Sequence, residues 1–271
     1  ASFCSIPDTT LSFSEVYFLI RRKKLGEIER ISASCQIVFA VQQKIEALVT
    51  PGITPLELDR IAEAEIRALG AAPAFKGYHG FPYSICSSVN ASIVHGFPDD
   101  TPLAVGDIIS IDVGAHLDGY YGDGAFTVGV GTIGPEAQRL LDGTRACLEL
   151  GIAQARPDGR LSDISNAIET HADAQGLAII REYGGHGIGR KLHESPHINN
   201  YGPPGKGPRL KPGHVFCIEP ILCLGDPEVE HSDDGWTTVT RDRSLAAHSE
   251  HTVAITEDGP QILTLPTAVP A

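Results

Sequence analysis

LAVGDIISID, residues 103–112, returns 107 positions later as LKPGHVFCIE, residues 210–219. Each copy reads as a glycine turn (Gly106, Gly213), then an apolar strand, then a carboxylate at the strand's end (Asp112, Glu219). Two further matches lie at almost the same spacing. Pro51–Gly70 aligns without gaps on Pro157–Gly176 at an offset of 106, and both read as a turn, a helix and a glycine stop. His79-Gly80-Phe81 aligns on His186-Gly187-Ile188 at an offset of 107. The period is too long and the copies too few for a solenoid. The pattern predicts two halves related by a pseudo-twofold axis, with a site between them that collects one carboxylate strand from each.

Periodicity fills in the elements. Ile28, Ile31, Cys35, Val38, Val41, Ile45 and Leu48 recur every three or four residues, which predicts a helix over 25–49 stopped by Pro51-Gly52. Thr54, Pro55 and Glu57 form a capping box for a second helix, with Leu58, Ile61, Ile66 and Leu69 on its buried side. Further helices are expected over about 135–155 and 162–175. Strands are expected over 85–89, 108–113, 125–130, 215–219, 236–240 and 251–255. The fold class is α/β (α+β). Residues 1–26 read as an N-terminal extension, a solvated arm ending in Arg21, Arg22, Lys23 and Lys24. Residues 27–271 read as one catalytic domain.

Composition removes several function classes. Net charge is −13, from 21 Lys plus Arg against 34 Asp plus Glu, which argues against nucleic acid or an anionic membrane as the main partner. No apolar run reaches the 18 or so residues of a membrane span. The apolar stretch Val16–Ile20 precedes its basic residues, so a secretory signal is not expected. Six scattered cysteines form no zinc-type pair and suit free thiols in a reducing cytoplasm. Methionine is absent throughout, and no physical reason for that is visible.

Asp112, Asp123, Glu219 and Glu250 all border apolar strands, where an acid is costly unless it is paired or metal-bound. Converging carboxylates repel, and divalent cations are the natural remedy. His186 sits among Gly184, Gly185, Gly187 and Gly189, which let the backbone bend closely around an imidazole. One imidazole with several carboxylates suits a pair of Mn, Fe(II), Co or Zn ions rather than a structural zinc, and such a pair is a hydrolytic device.

At these residues the chain resembles the type I methionine aminopeptidases. Asp112, Asp123, His186, Glu219 and Glu250 stand in the order and spacing of that family's five metal ligands. The run from Tyr183 through His186 and Gly189 to His193, Ile198, Asn200 and Tyr201 matches its signature. So do VHGFPDD (94–100), Ile218-Glu219-Pro220, DGWT (234–237) and Glu250-His251-Thr252. The similarity covers about residues 27–264. It implies the pita-bread fold, two pseudo-twofold halves of antiparallel sheet covered by helices around a dinuclear metal site.

The resemblance assigns roles. Asp112 chelates one metal, Asp123 and Glu250 bridge both, and His186 and Glu219 complete the other. Glu219 accepts the proton, His193 hydrogen-bonds the substrate carbonyl or oxyanion, and His95 contacts the scissile amide and helps protonate the leaving amine. Tyr78, Phe81, Cys86, His95 and Trp236 form the slot for the first side chain. The implied activity is removal of N-terminal methionine from nascent polypeptides with a small second residue. The protein is expected to be a cytoplasmic monomer, with a ribosomal contact open to residues 21–24.

Five departures from the family bear on this. Gly124 stands where a Thr is common, implying a looser second metal. Phe75 replaces a small residue or Cys and Leu192 an aromatic, and both reshape the pocket. His214 and Ile221 stand where Met is frequent. X-prolyl peptidases share the fold but carry an extra N-terminal domain for which 25 residues are too few. Type II methionine aminopeptidases carry an insertion that the 26 positions from His193 to Glu219 do not hold. Non-enzymatic relatives lose ligands that are all present here. A mononuclear iron oxygenase would want two histidines and one carboxylate.

Overall fold

A computed structural model describes residues 20–266. Four helices carry the two halves: α1 (Leu25–Glu46), α2 (Pro55–Ala68), α3 (Pro135–Gln154) and α4 (Leu161–Ala174). α2 and α4 have the same length and begin 106 residues apart, as the repeat predicts. Positive φ falls at matching places: Gly52 and Asp158 before the two helices, Gly70 and Gly176 after them, and Gly106 and Gly213 before the carboxylate strands. Thr54 and Glu57 form the expected capping box, and Asp163 Oδ2 accepts from the Arg160 N–H at the corresponding end of α4.

Each half packs a helix pair on a sheet. In the first, Val38, Val41 and Ile45 of α1 and Leu58, Ala62 and Ile66 of α2 bury against Ile109, Ile111, Val113 and Ala115. In the second, Leu140, Leu148 and Ile152 of α3 and Ile164 and Ile168 of α4 bury against Phe216, Ile218, Val253 and Ile255. Strand alternation turns the intervening residues to the opposite face: Ser110 and Asp112 in one half, Cys217 in the other, with Glu219 one residue past its strand.

The first sheet centres on the strand Ile108–Leu117, which pairs antiparallel with Ile85–Val89, Ala72–Pro73 and Tyr120–Gly129. The hairpin turns at Asp118-Gly119 and runs ten residues down each arm, longer than periodicity predicts. Asp112 therefore lies in mid-strand rather than at a strand end. The second sheet runs Gly259–Ile262, His251–Thr256, Val215–Ile218, Gly185–Gly187, Glu194–Ile198. The sheets meet where Ala125 and Glu250 exchange main-chain hydrogen bonds, 3.3 and 2.8 Å, and where Thr252 Oγ1 donates to the Asp123 carbonyl at 2.7 Å.

Four expectations need correction. His79 and His186 are not counterparts: His79 is exposed on a short 3-10 turn, whereas His186 is buried in a strand. Leu48 and Leu69 are exposed because each lies past its helix's last turn. Trp236 precedes its strand, which spans Thr238–Thr240. The basic cluster is not wholly solvated either. Lys23 is buried, with Nζ 2.7 Å from Glu194 Oε2, and Arg22 Nε donates to the Pro212 carbonyl. No helix among the described residues is long and apolar enough to cross a membrane.

α1 crosses the first sheet at Gly122, where a Cβ would stand 2.6 Å from the Cys35 nitrogen and 2.7 Å from the Ser34 carbonyl carbon. Both are helix backbone and neither can yield, so Gly122→Ala is expected to cost about 1–3 kcal/mol, read from urea unfolding midpoints.

Candidate metal centre and active site

The cavity between the halves is lined by Asp112, Asp123, Glu219, Glu250, His186, His193, His95 and His248, with Phe75, Cys86, Val94, Tyr183, Gly184 and Ile221. All five expected ligands are thus brought together. Asp112 pairs with Ala125 across the hairpin and Asp123 with Gly114, which sets the two acids diagonally on one face. His251 pairs with Ile218, so Glu250 and Glu219 meet one step beyond that pair. Asn200 Nδ2 donates to the Glu219 carbonyl at 2.9 Å and fixes that corner.

The donors face inward. Asp123 and Glu250 are 4% and 2% exposed, while Asp112 and Glu219 keep a sliver of surface. Burial pushes Asp112 up to about 6 and raises Asp123, Glu219 and Glu250 well above the ordinary carboxylate range, with mutual repulsion adding to burial for these three. Asp112 Oδ1, Glu250 Oε1 and His248 Nε2 are buried without a hydrogen-bond partner. His186 Nδ1 is 3.0 Å from the Gly187 carbonyl, which can only accept. Its proton therefore sits on Nδ1, and Nε2 keeps a lone pair towards Asp123 Oδ2 (3.8 Å) and Glu219 Oε1 (3.6 Å). Burial holds His186 down to about 4, so the ring is neutral near pH 7 and these contacts are not ion pairs. Orphaned acid oxygens beside a neutral imidazole with its lone pair directed at them fit a divalent cation.

His193 and His95 are also neutral. Burial, then the neighbouring imidazoles, takes His193 to about 2 and His95 to about 3. Tyr78 Oη lies 3.0 Å from His193 Nδ1, and the rings of His186 and His193 are 4.3 Å apart. Of the expected slot residues, Cys86 and His95 line the cavity itself. Phe81 packs edge-to-face on Trp236 with centroids 5.2 Å apart, and Tyr78 braces His193. Leu192 is 1% exposed in the core and is not among the lining residues.

Two departures have local explanations. A Cβ on Gly114 would stand 2.5 Å from the Phe75 ring, so Phe75 enters the cavity wall because residue 114 has no side chain. At Gly124 a Cβ would meet Gln42 Nε2 at 3.1 Å; that amide donates to the Gly124 carbonyl at 2.6 Å, while the Gly124 N–H holds Asp123 Oδ1 at 3.1 Å.

The structure adds two residues to the candidate ligands, Cys217 and His248. The donor atoms of Asp123, His186, Cys217 and Glu250 lie within 4.8 Å of one another, as do those of Glu219, His248 and Glu250. Each newcomer stands two positions before an acid, Glu219 or Glu250. Strand alternation from those acids was the signal for both.

These shifts fix a pH dependence for metal-stripped protein. Carboxylates with raised folded-state values stay protonated where the unfolded chain has ionised, so their contribution is full below about pH 4 and is lost as pH rises through the folded values. The depressed histidines act with the opposite sign, but only below about pH 6.5, above which they are neutral in both states. The melting temperature of stripped protein is therefore expected to fall as pH rises above about 6.5, where the histidines no longer oppose the acids, and saturating Mn(II) to reverse the trend. A flat profile would mean that the acids ionise without penalty.

The sequence pattern of metallopeptidase family M24 matches residues 29–257. A methionine aminopeptidase of Clostridium perfringens is 47% identical over 247 residues, 91% of this chain and 99% of that one. Methionine aminopeptidase 1 of Bacillus subtilis is 50% identical over 229 residues, 84% and 92% of the two chains. The crystal structure of methionine aminopeptidase from Thermotoga maritima superposes with a TM-score of 0.89 at 42% identity, over 91% of this chain and 99% of that one. With the pita-bread fold, the buried acids and these similarities in agreement, the chain belongs to metallopeptidase family M24, among its methionine aminopeptidases.

Proposed function

We propose that this protein removes the N-terminal methionine from new polypeptides with a small second residue, by hydrolysis at two divalent cations held by Asp112, Asp123, His186, Glu219 and Glu250. The observation that carries the reading is the set of four inward-facing carboxylates, partly orphaned, around a neutral imidazole. That two donor groups share Glu250 supports a pair of ions with that acid between them. Mn, Fe(II), Co and Zn all suit such ligands. The substrate follows from the relatives' activity.

Bound cations would polarise the peptide carbonyl and bring the pKa of water towards neutrality. The chain's own groups do the rest. Glu219 takes the proton of the attacking water on its carboxylate and returns it to the leaving amine. Tyr78 Oη lies 3.0 Å from His193 Nδ1; in this reading Tyr78 is the donor, so neutral His193 carries its proton on Nε2 and donates it to the developing oxyanion. His95 contacts the scissile amide. Cys86, Val94, Phe75 and Ile221 form the apolar wall for the methionine side chain, backed by Phe81 and Trp236.

Residues 27–271 are the catalytic domain in this reading, and residues 1–26 an extension of it. The protein acts as a monomer in this reading. Cys35, Cys86, Cys147, Cys217 and Cys223 are buried free thiols, which suits the cytoplasm. Arg21, Arg22 and Lys24 are exposed, and in this reading they are the basic residues offered to a ribosomal contact.

Metal-stripped protein titrated with Mn(II) or Co(II) is expected to release methionine from Met-Ala-Ser and to leave Ala-Pro-Ser intact. Cleavage of the proline peptide alone would assign it to prolyl chemistry, and silence on both with no metal bound would overturn the enzyme reading. His193→Ala is expected to lower kcat by about 10²–10³-fold with metal content unchanged.

A further inference from the structure

The roles above leave one cavity imidazole without a task. His248 ends the strand Ala246–His248 and is 3% exposed. Its Nε2 lies 3.5 Å from Glu219 Oε2 and 3.8 Å from Glu250 Oε2, and it makes no hydrogen bond. Leaving a buried polar atom unsatisfied costs stability. A histidine in such a position needs either a task or a partner.

The ring is delivered there by a rigid frame. Thr127 Oγ1 accepts the His248 N–H at 3.0 Å and donates to the His248 carbonyl at 2.7 Å. That donation uses the only hydroxyl proton of Thr127, so Ser110 Oγ, 2.8 Å away, is the donor in their contact. On its other side the strand pairs His248 with Ile221. The main chain at residue 248 is therefore held from two directions, and Nε2 is aimed at the acids.

Glu219 stands between two imidazoles. Its Oε1 is 3.6 Å from His186 Nε2, and its Oε2 is 3.5 Å from His248 Nε2. Both separations exceed a good hydrogen bond. Both suit two donors on one cation: atoms each about 2.1 Å from a tetrahedral ion lie about 3.4 Å from each other. The group formed by Glu219, His248 and Glu250 shares Glu250 with the group around His186.

We propose that His248 is a nitrogen ligand of the metal centre, so that the cavity binds its cations through two imidazoles, His186 on one side of Glu219 and His248 on the other. This rests on the metal-centre reading above. A second imidazole moves the site's preference from Mn(II) towards Zn(II) and Co(II), because nitrogen donors favour the latter.

The test is X-ray absorption fine structure at the zinc edge on wild-type protein loaded with two equivalents of Zn(II), with zinc content measured independently. The expected average is one imidazole per zinc, falling to half in His248→Gln. Chelator competition is expected to give at least a tenfold loss of Zn(II) affinity in His248→Gln, with a smaller loss for Mn(II). A wild-type average of half an imidazole per zinc, or a variant affinity within twofold of wild type, overturns the proposal. Should the variant not fold, the wild-type count decides alone. Protein that binds no zinc fails the metal-centre reading and this proposal with it. Two zinc ions sharing a single imidazole defeat this proposal only.

Discussion

Four carboxylates held in one cavity resist the fold that holds them. Burial and mutual repulsion act together on Asp123, Glu219 and Glu250, and Asp112 is lifted by burial. Acids in that state are tolerated only where surrounding structure over-determines their positions. Much of the architecture can be read as that determination. Two helix-covered sheets, each with its own apolar core, present one carboxylate strand apiece, and the seam between Ala125 and Glu250 brings the strands face to face.

The histidines complete the design by being neutral. A cationic ring beside these acids would neutralise them by ion pairing and compete with a divalent cation. Burial lowers His186, His193, His95 and His248 alike below the ordinary imidazole range. Neutrality leaves His186 Nε2 able to offer a lone pair, because its only ring proton is spent on the Gly187 carbonyl.

Phe75 and Gly114 form one choice rather than two. An aromatic ring enters the cavity wall at 75 only because residue 114 carries no side chain to meet it. Gly124 works similarly with Gln42, whose amide stands where a larger residue's side chain would begin. These two departures from the family pattern thus have their compensation elsewhere in the chain, and that compensation is invisible until the strands and α1 are packed together.

Much of the fold was legible in the chain itself. The 106–107-residue repeat marked the two halves, because a duplicated turn, helix and strand leaves its glycines, caps and apolar alternation at matching positions. The five expected ligands were legible because acids and a glycine-flanked histidine beside apolar strands have few other reasons to be there. Local pattern was weaker elsewhere. It ended the hairpin strands early, since Gly114, Gly122 and Gly124 read as breaks, although close approach of Phe75, α1 and Gln42 makes them necessary. It matched His79 to His186 on a shared dipeptide, and only the chain's path separates an exposed turn from a buried strand. Above all, a spacing of two from Glu219 and Glu250 is the only local mark on Cys217 and His248, and spacing alone does not bring them to the other donors. Their nearness to Glu219, Glu250, Asp123 and His186 depends on strands from both halves meeting. Sequence determined which acids and imidazoles border the apolar strands of each half; tertiary structure decided which of them share a cavity, because that distance is set by the packing of one half on the other.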